Sequence, residues 1–414
     1  MRIAIVGAGA SGLVCAHRLR RRHEITVFEA ADRIGGHAHT LDVEVEGERH
    51  AVDVGFIVYN ERTYPSFTKL LASLGVATRE SDMSFGVACE RSGLEWGSRG
   101  LGALFADPCN LVRPSFHRML RDVRRFEVEG RRLLAGGDEK AALGDWLCGG
   151  GFSREFVAHY VIPMGAAIWS AAPGEFLRIP ALTFVRFFAN HGLLAARGGR
   201  IRWRTIEGGS RRYVEALAAP FRDRIRTGLP VRGLRRRRDR VELLTPEGLH
   251  RFDRVVVATP GDQALRLLLD PSDAERHVLA AFRTQANDAV LHTDPSVMPR
   301  RRRAWASWSY RIPAEPRERV FVTYHMNRLQ GIRSRRDLFL TLNAADRVEP
   351  ARVLARLDYR HPVLDAEAVA AQQLHRHVDG VNRTHFCGAG WGHGFHEDGV
   401  RSALAVCRRF GTEL

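Results

Sequence analysis

The chain opens with a pattern of apolar and polar positions that predicts a strand, a turn, a helix and a second strand. Residues 2–6 form a short apolar run rich in β-branched residues, which is typical of a buried strand. The glycine-rich segment 7–12 follows directly, and apolar residues then recur at helical spacing as far as Leu19. A second strand is predicted at 24–28 and ends in Glu29. This order of strand, glycine turn, helix, strand and acid is typical of a dinucleotide-binding βαβ unit.

The glycines of this turn and the acid after it each have a predicted part in binding. Gly7 permits the tight turn, Gly9 lets a pyrophosphate approach the backbone, and Gly12 lets helix and strand pack closely. The amides that begin the helix are unpaired and point at the phosphates, and Glu29 can accept hydrogen bonds from ribose hydroxyls. The predicted dinucleotide contacts in this unit are Gly7, Ala8, Gly9, Ala10, Ser11, Gly12, Glu29 and Ala30.

Further along, the pattern predicts helices and strands in blocks. Residues 41–54 alternate as a hairpin does, and residues 81 to about 200 are predicted to be mainly helical, including a basic amphipathic helix from about Ser115. Strands are predicted at 225–231, at 252–260 and repeatedly between 291 and about 375, and a strand followed by a helix lies beyond 384. Arg235 to Arg238 are predicted to form a solvated hairpin tip. With 414 residues the chain can bury a large core, and we expect two interleaved domains.

The net charge indicates which kinds of partner the protein can bind. The formal net charge is +16, carried almost wholly by arginine, since Lys69 and Lys140 are the only lysines. Because no nucleic-acid module is recognisable, we expect no nucleic-acid partner, and an anionic membrane surface is the better candidate. Arginines beside tryptophans at 300–310 suit a lipid headgroup interface.

The six cysteines lack CxxC and zinc spacing, so we expect reduced thiols and no metal site. The first predicted strand begins at residue 2, which leaves no room for a signal peptide, and no apolar run reaches the length of a membrane span. The expected location is cytoplasmic, with peripheral contact on the inner membrane face left open.

The segment after Glu29 resembles a known family. Arg33-Ile34-Gly35-Gly36-His37-Ala38-His39-Thr40 is similar to the R-x-G-G-R-x-x-T/S segment of the flavin-containing amine oxidase superfamily, where it runs along the FAD diphosphate. The resemblance implies FAD, bound non-covalently, rather than NAD. It assigns cofactor contacts to Arg33, Gly35, Gly36 and His37, although His37 replaces the usual second arginine.

Other segments extend the resemblance over the whole chain. Residues 53–60 are similar to the D-x-G-G segment that lies against the isoalloxazine ring, residues 252–260 to a strand that passes the dinucleotide, and residues 388–406 to a final block whose helix N-terminus points at the flavin pyrimidine edge. By resemblance, the backbone of Val231 pairs with adenine. The further contacts implied are Gly55, Phe56, Ile57, Val231, Ala258, Gly390, Asp398, Gly399 and Val400.

The resemblance also implies the architecture. The expected fold is α/β, with a Rossmann-type, GR2-like FAD-binding domain (1–80, 200–290 and 376–414) interleaved with an α+β substrate domain of mixed sheet and helices (81–199 and 291–375), as in amine oxidases. Stretches such as GFIVYNERTYP, SDMSFGV and TYHMNRLQ resemble a bacterial group encoded beside cyclopropane-fatty-acid-synthase-like methyltransferases. That grouping implies an acyl-chain or other hydrophobic substrate and a lipid methyltransferase as partner.

These features favour an FAD-dependent oxidoreductase that dehydrogenates an unsaturated or methyl-branched acyl chain. Amine oxidases of the superfamily place a lysine near flavin N5, and neither Lys69 nor Lys140 lies in the usual place. Three alternatives stay open: an amine oxidase acting on a small amine, a redox-neutral fatty-acid isomerase or hydratase, and a non-catalytic partner of a methyltransferase. No catalytic residue is assigned, and the cleft candidates are Tyr59, Asn60, Trp169, His191 and Asn327.

Overall fold

The computed structural model describes residues 1–136, 141–169, 176–194 and 201–412. Its strands, in chain order, are β1 Arg2–Val6, β2 Glu24–Phe28, β3 Thr40–Val45, β4 Glu48–Asp53, β5 Tyr59–Asn60, β6 Thr78–Ser81, β7 Phe85–Cys89, β8 Glu95–Gly97, β9 Trp203–Ile206, β10 Ile225–Arg226, β11 Gly233–Arg236, β12 Val241–Thr245, β13 Gly248–Phe252, β14 Arg254–Val257, β15 Thr284–His292, β16 Trp308–Ile312, β17 Val322–His325, β18 Phe339–Leu342, β19 Val353–Pro362 and β20 Thr384–Phe386.

The helices alternate with these strands. The α-helices are Ala10–Leu19, Pro65–Ser73, Leu101–Leu104, Pro114–Gly136, Leu143–Gly149, Arg154–Phe156, Ile162–Trp169, Ala181–Asn190, Arg211–Ala218, Gly261–Leu267, Asp273–Ala280, Met326–Gln330, Ala366–Gln372 and His396–Arg409. A π-helical turn, Val157–Val161, joins two of them. Short 3₁₀ segments are Pro108–Leu111, Ala219–Arg224, Pro295–Val297, Arg302–Ala304, Ala345–Arg347, Pro350–Arg352, His375–His377, Val381–Arg383 and Ala389–Trp391.

A five-stranded parallel sheet organises the part of the fold that carries the glycine turn. Its strand order is β10-β2-β1-β14-β20, with every neighbouring pair parallel. Residues of β1 alternate between two hydrophobic clusters: Ile3 and Ile5 face one, and Ala4 and Val6 face the other. Both faces of the sheet are therefore covered, as parallel sheets require.

The helix Ala10–Leu19 packs directly on the helix His396–Arg409, although the two are far apart in sequence. Between them Cys15 Sγ lies 3.9 Å from Cys387 Sγ, and the Cys15 thiol also donates to the carbonyl of Ala403. Strand β20 and the helix after it thus complete a sheet and a helix layer that the first residues begin.

A seven-stranded mixed sheet forms the second centre, in the order β19-β15-β18-β17-β16-β7-β8. Its pairs are antiparallel except β7 and β16. The prediction of mainly helical structure from residue 81 is therefore wrong as far as Gly97. The cause is that every residue of β7 is buried, so the strand lacks the alternation by which strands are recognised in sequence.

Helices cover this mixed sheet. In the helix Pro114–Gly136, Phe116, Met119 and Phe126 face the core while Arg121 and Arg124 are exposed, as the sequence predicts. Phe126 lies at the centre of an aromatic group formed by Trp146, Phe152, Phe156, Phe184 and Phe188. No helix within the described ranges has both the length and the apolar character needed to cross a bilayer.

The fold class expected from the resemblance, α/β with a Rossmann-type sheet and a mixed sheet plus helices, is confirmed. The predicted domain bounds stay a prediction. Strand β10 is shorter than expected, covering only Ile225–Arg226, and the helix predicted from Gly399 begins at His396.

The three-stranded meander β11-β12-β13 contains a buried ion pair that the sequence did not predict. Arg236, expected in a solvated tip, donates from both terminal nitrogens to Glu275 at 2.8 and 2.7 Å and from Nε to Asp270 at 2.8 Å. The Arg236 and Glu275 side chains are only 4% and 1% exposed. A run of four arginines hides this position, because only the strand register shows which one points inward.

We expect Arg236→Met to lower the free energy of unfolding by about 3–5 kcal/mol, because the carboxylate of Glu275 would stay buried without its partner. The neighbouring Arg235 is exposed, so Arg235→Met is the matched control and should change stability by less than about 0.5 kcal/mol. Urea unfolding of the two variants measures both. Equal losses would show that the pair does not stabilise the meander.

Candidate FAD site

The glycine turn leaves open space where a diphosphate would lie. A Cβ atom added at Gly9 would meet no other atom within 4 Å, whereas one at Gly12 would lie 1.9 Å from the carbonyl oxygen of Gly7. Gly7 itself has φ of +102°, which favours glycine. The loop is thus closed on its inner side and open in front of the helix that begins at Ala10, which fits a bound pyrophosphate.

The acid at the end of β2 is held by the same loop. One carboxylate oxygen of Glu29 accepts from the Ala8 amide at 2.7 Å, and the other accepts from the Ala31 amide at 3.0 Å. A carboxylate has about four acceptor positions, so ribose hydroxyls can still bind to it. Ala30 is exposed beside it.

The segment that resembles the FAD diphosphate motif lies against this loop. The Gly35 amide donates to the Ala8 carbonyl at 2.8 Å, and a Cβ atom at Gly36 would lie 3.1 Å from the Cα of Gly9. Arg33 donates to the Gly36 carbonyl at 2.9 Å, which closes the turn. The segments 7–12 and 33–36 therefore pack together along one side of the site, and we call this surface the floor of the site.

The next predicted segment continues that floor. The Phe56 amide donates to the His37 carbonyl at 2.7 Å, and a Cβ atom at Gly55 would lie 2.1 Å from the same oxygen. No residue with a side chain fits at Gly55. The ring of Phe56 stacks on that of His396 with centroids 3.7 Å apart, while Ile57 is buried beside it.

The helix His396–Arg409 brings a second N-terminus to the site. A Cβ atom at Gly399 would lie 2.8 Å from Ser11 Oγ, so this helix and the helix Ala10–Leu19 begin side by side. Each N-terminus carries partial positive charge, which suits an anionic diphosphate and a reduced flavin ring. Val400 is buried in the core behind them.

Two predicted contacts of this block shape the loop before the helix. The Asp398 carboxylate accepts from the amides of His393 and Phe395 at 3.0 and 3.1 Å, and burial raises its pKa. The Gly390 carbonyl accepts from the side-chain amide of Gln372 at 2.9 Å. In this structure Asp398 therefore holds the loop.

Val231 and Ala258 are the predicted contacts at the adenine end of the site. Within the described residues the amide and carbonyl of Val231 form no hydrogen bond, which leaves them available to an adenine ring. The Ala258 amide donates to Val6 at 2.8 Å, and its carbonyl oxygen would lie 2.9 Å from a Cβ atom at Gly7. Ala258 thus packs against the outer side of the glycine turn.

A cluster of histidines, which the sequence did not predict as a group, surrounds the floor. The histidine cluster comprises His37, His39, His361 and His396. His37 lies 5.6 Å from His361 and 5.4 Å from Tyr359 between ring centroids, and His39 Nδ1 is 2.9 Å from the Tyr359 hydroxyl. His396 Nε2 is 2.9 Å from the Tyr213 hydroxyl.

Burial keeps this cluster neutral. Desolvation lowers the pKa of His39 to about 4 and those of His361 and His396 to about 3, and it also lowers the pKa of His37. Yet the His37 ring is exposed to solvent and that of His396 partly so. The space in front of these rings, which we call the chamber, is open to solvent at His37 and partly open at His39 and His396. It lies beside the predicted flavin segments, because His37 belongs to one of them and His396 stacks on Phe56 of another.

A buried carboxylate ties the chamber walls together. Asp53 Oδ1 accepts from Thr40 Oγ1 at 2.6 Å and from both the amide and the hydroxyl of Ser210 at 2.8 Å. Asp53 Oδ2 accepts from Gln330 Nε2 at 3.0 Å, and the Asp53 amide donates to Gln330 Oε1 at 2.8 Å. Burial raises the pKa of Asp53 to about 6, against hydrogen bonds that lower it.

The predicted cleft residues fall into three places. Trp169 and His191 come together around Phe187, at centroid distances of 4.6 and 3.8 Å, and Trp169 Nε1 donates to the His393 carbonyl at 3.3 Å. Desolvation lowers the pKa of His191 to about 4. This aromatic group borders the loop before the helix His396–Arg409.

The other three candidates hold the chain in place. Tyr59 is buried against Phe67. Asn60 exchanges two hydrogen bonds of 2.8 Å with Thr63 before the helix Pro65–Ser73. Asn327 donates to the carbonyls of Ile332 and Arg336 and accepts from the Leu338 amide. The structure gives these amides structural partners rather than an open cleft.

Neither lysine is placed at the site by the described residues. Lys69 is exposed on the helix Pro65–Ser73, and Lys140 lies outside the described residues. Within the described part of the chain, no lysine borders the chamber.

The sequence is similar to a known protein family and to a named protein. The family model for flavin containing amine oxidoreductase matches residues 10–301. A Mycobacterium tuberculosis protein named as a flavin-containing monoamine oxidase, AofH, is 26% identical over 281 residues, which cover 65% of this chain and 59% of AofH.

Two solved structures share the fold over nearly the whole chain. Putrescine oxidase bound to putrescine aligns with a TM-score of 0.71 at 15% identity and covers 99% of each chain. A fatty acid isomerase from P. acnes that produces CLA aligns with a TM-score of 0.70 at 17% identity, covering 99% of this chain and 98% of that one. At such identity these likenesses show the fold alone.

The two glycines of the turn give a paired prediction. Gly9→Ala should fold normally, because its Cβ meets open space, but it should weaken FAD binding by roughly tenfold or more, about 1.4 kcal/mol. Gly12→Ala should lower stability by about 2 kcal/mol even without cofactor, since the clash with Gly7 exceeds the helix-propensity gain of Ala. Apoprotein melting and flavin absorbance separate these effects, and equal behaviour of the two variants would contradict the open cradle.

The Asp53 network predicts a pH dependence. A pKa raised to about 6 means that the folded state keeps a proton which the unfolded chain releases, so this group favours folding below pH 4 and loses that contribution above pH 6. The stability difference between the protein and Asp53→Asn should therefore grow by roughly 1–2 kcal/mol from pH 7.5 to pH 5. Urea titrations across that range measure it. A difference that does not change with pH would place the Asp53 pKa near its usual value.

Proposed function

Because the chain belongs to the family of flavin-containing amine oxidoreductases and FAD is its cofactor, we propose that it oxidises an unsaturated or methyl-branched fatty acyl chain. The observation that carries this proposal is the character of the chamber beside the flavin segments. Its described walls are aromatic rings and imidazoles that burial keeps neutral. Such a lining can hold an uncharged C–H substrate without leaving a charge unpaired.

A small amine would bring a positive charge to the chamber, and two carboxylates near it already hold other donors. Asp53 already accepts hydrogen bonds from Thr40, Ser210 and Gln330. Asp398 accepts from two loop amides, and burial raises its pKa. An ammonium group would therefore compete with these donors for either carboxylate, and burying it unpaired is costly.

The oxidation removes a hydride and a proton from adjacent carbons, leaving a new double bond. When bound, FAD supplies the acceptor for the hydride at N5, and oxygen or a quinone takes the electron pair afterwards. We assign the proton acceptor to His37, because one of its ring nitrogens donates to the Arg360 backbone carbonyl, which leaves the other nitrogen of the neutral ring without a proton.

His361 has a different part. Its Nδ1 lies 3.2 Å from the Asn287 amide nitrogen, which donates to it, so the neutral ring carries its own proton on Nε2. His361 can donate a hydrogen bond into the chamber but cannot accept the substrate proton there. In this proposal His361 orients the substrate and His37 takes its proton.

A second candidate is a redox-neutral isomerase, favoured by the same neutral lining and by the shared fold with a fatty acid isomerase. Since an isomerase returns the hydride to the substrate, the chamber residues need not differ. Oxygen or quinone consumption distinguishes the two reactions.

The test is lipid analysis by mass spectrometry of cells that carry the protein, lack it, or carry Gly9→Ala as the cofactor-weakened control. We expect acyl chains two hydrogens lighter only with the unaltered protein. A moved double bond without a mass change would replace the oxidase with the isomerase. Unchanged lipids, together with bleaching of the purified flavin by small amines, would overturn the acyl substrate.

A further inference from the structure

A short surface segment exposes an unusual amount of apolar side chain. Leu101, Leu111 and Val112 are 75%, 59% and 82% exposed, and Leu101 and Val112 are the most exposed large hydrophobic residues in the described ranges. A single exposed leucine is ordinary on a protein surface, but three within twelve residues are not.

The segment is held in this conformation by polar groups on its inner side. Asn110 Nδ2 donates to the carbonyls of Glu95 and Leu104 at 3.0 and 3.4 Å, and the Asp107 carboxylate accepts from the Cys109 amide at 3.2 Å. Asn110 and Asp107 are themselves buried. The segment therefore turns polar side chains inward and apolar side chains outward, the reverse of an ordinary loop.

Arginines lie beside it. The Arg301 guanidinium pairs with both Glu95 and Asp107, at 3.3 and 3.1 Å, and the helix Leu101–Leu104 contacts the turn Arg302–Ala304. Arg300 and Arg303 have no carboxylate partner among the described residues, while Arg302 pairs with Asp337. The neighbouring Trp305 is buried, so the arginines rather than the tryptophan form the outer surface, unlike the sequence expectation.

We propose that this docking surface, defined as Leu101, Leu111, Val112, Arg300 and Arg303, binds the face of an anionic lipid bilayer. Side chains that enter the headgroup and acyl boundary gain from leaving water, and each nearby arginine gains from anionic lipid. A nucleic acid would reward the arginines but not the leucines and valine. The chain's net charge of +16 has the matching sign.

This inference stands apart from the proposed reaction. Docking concerns where the protein sits, and the residues involved lie outside the FAD site. Vesicle binding can therefore succeed or fail whatever the acyl chemistry shows.

The first test is co-sedimentation of the purified FAD-bound protein with phosphatidylcholine vesicles, with and without 30% phosphatidylglycerol. We expect binding to the anionic vesicles, and Leu101→Ser with Val112→Ser should weaken it by roughly tenfold. The matched control is Leu244→Ser with Leu249→Ser, which removes two exposed leucines from the β12–β13 meander and should leave binding unchanged.

Charge is tested the same way. Arg300→Glu with Arg303→Glu should weaken binding by at least about fivefold for each arginine lost, and 1 M salt should abolish that difference because it shortens the Debye length to about 3 Å. Arg21→Glu with Arg251→Glu changes the net charge equally at two exposed arginines elsewhere and should weaken binding less.

Two exposed cysteines locate the contact independently. Cys109 lies within the docking segment, and Cys148 lies near Arg125, roughly 16 Å further along the helix Pro114–Gly136. An environment-sensitive fluorophore on Cys109, in a Cys148→Ser background, should shift to the blue on anionic vesicles more than one on Cys148 in a Cys109→Ser background.

Each of the following results would overturn the proposal. They are no binding of the unaltered protein to anionic vesicles, equal binding by the Leu101→Ser and Val112→Ser variant, and equal probe shifts at the two cysteines. A dimer in sedimentation analysis that this variant converts to a monomer would also overturn it, because the surface would then join two copies of the chain.

Discussion

The carboxylate of Asp53 is the interaction on which the geometry of the site most depends. It is buried, and it gathers donors from three separate elements: the end of the FAD-facing segment at Thr40, the start of a helix at Ser210, and Gln330 beside the mixed sheet. The hydrogen bonds offset a desolvation cost that is large enough to raise its pKa. Without this meeting point, the glycine floor and the mixed sheet would have no shared polar contact at this position.

Backbone dipoles at two helix N-termini contribute partial positive charge to the site. The helices that begin at Ala10 and His396 lie side by side where Gly399 faces Ser11, while the histidine that replaces the family's second arginine is neutral. A dipole at a helix end acts over short range and loses no proton as pH changes. A bound diphosphate would in turn favour protonation of nearby imidazoles, since an adjacent anion raises a histidine pKa.

Features whose determinants lie close together in the sequence were predictable, and features that depend on distant residues were not. The strand, turn, helix and acid of residues 2–29 were predictable because all of their determinants are neighbours, down to the glycine whose Cβ would strike Gly7. His361 and Tyr359 reach His37 from more than 300 positions away, on a strand whose register decides which side chains face inward. Arg236 was missed for the same reason, and β7 because full burial erases alternation.

The contact between Cys15 and Cys387 joins positions 372 residues apart. At translation rates of 5–20 residues per second, roughly 20 to 75 s separate the synthesis of the two thiols. During that interval the nascent parallel sheet lacks β20 and exposes an edge strand and an apolar helix face. The side of the helix Ala10–Leu19 that packs on the helix His396–Arg409 is therefore covered only after nearly all of the described chain has been made.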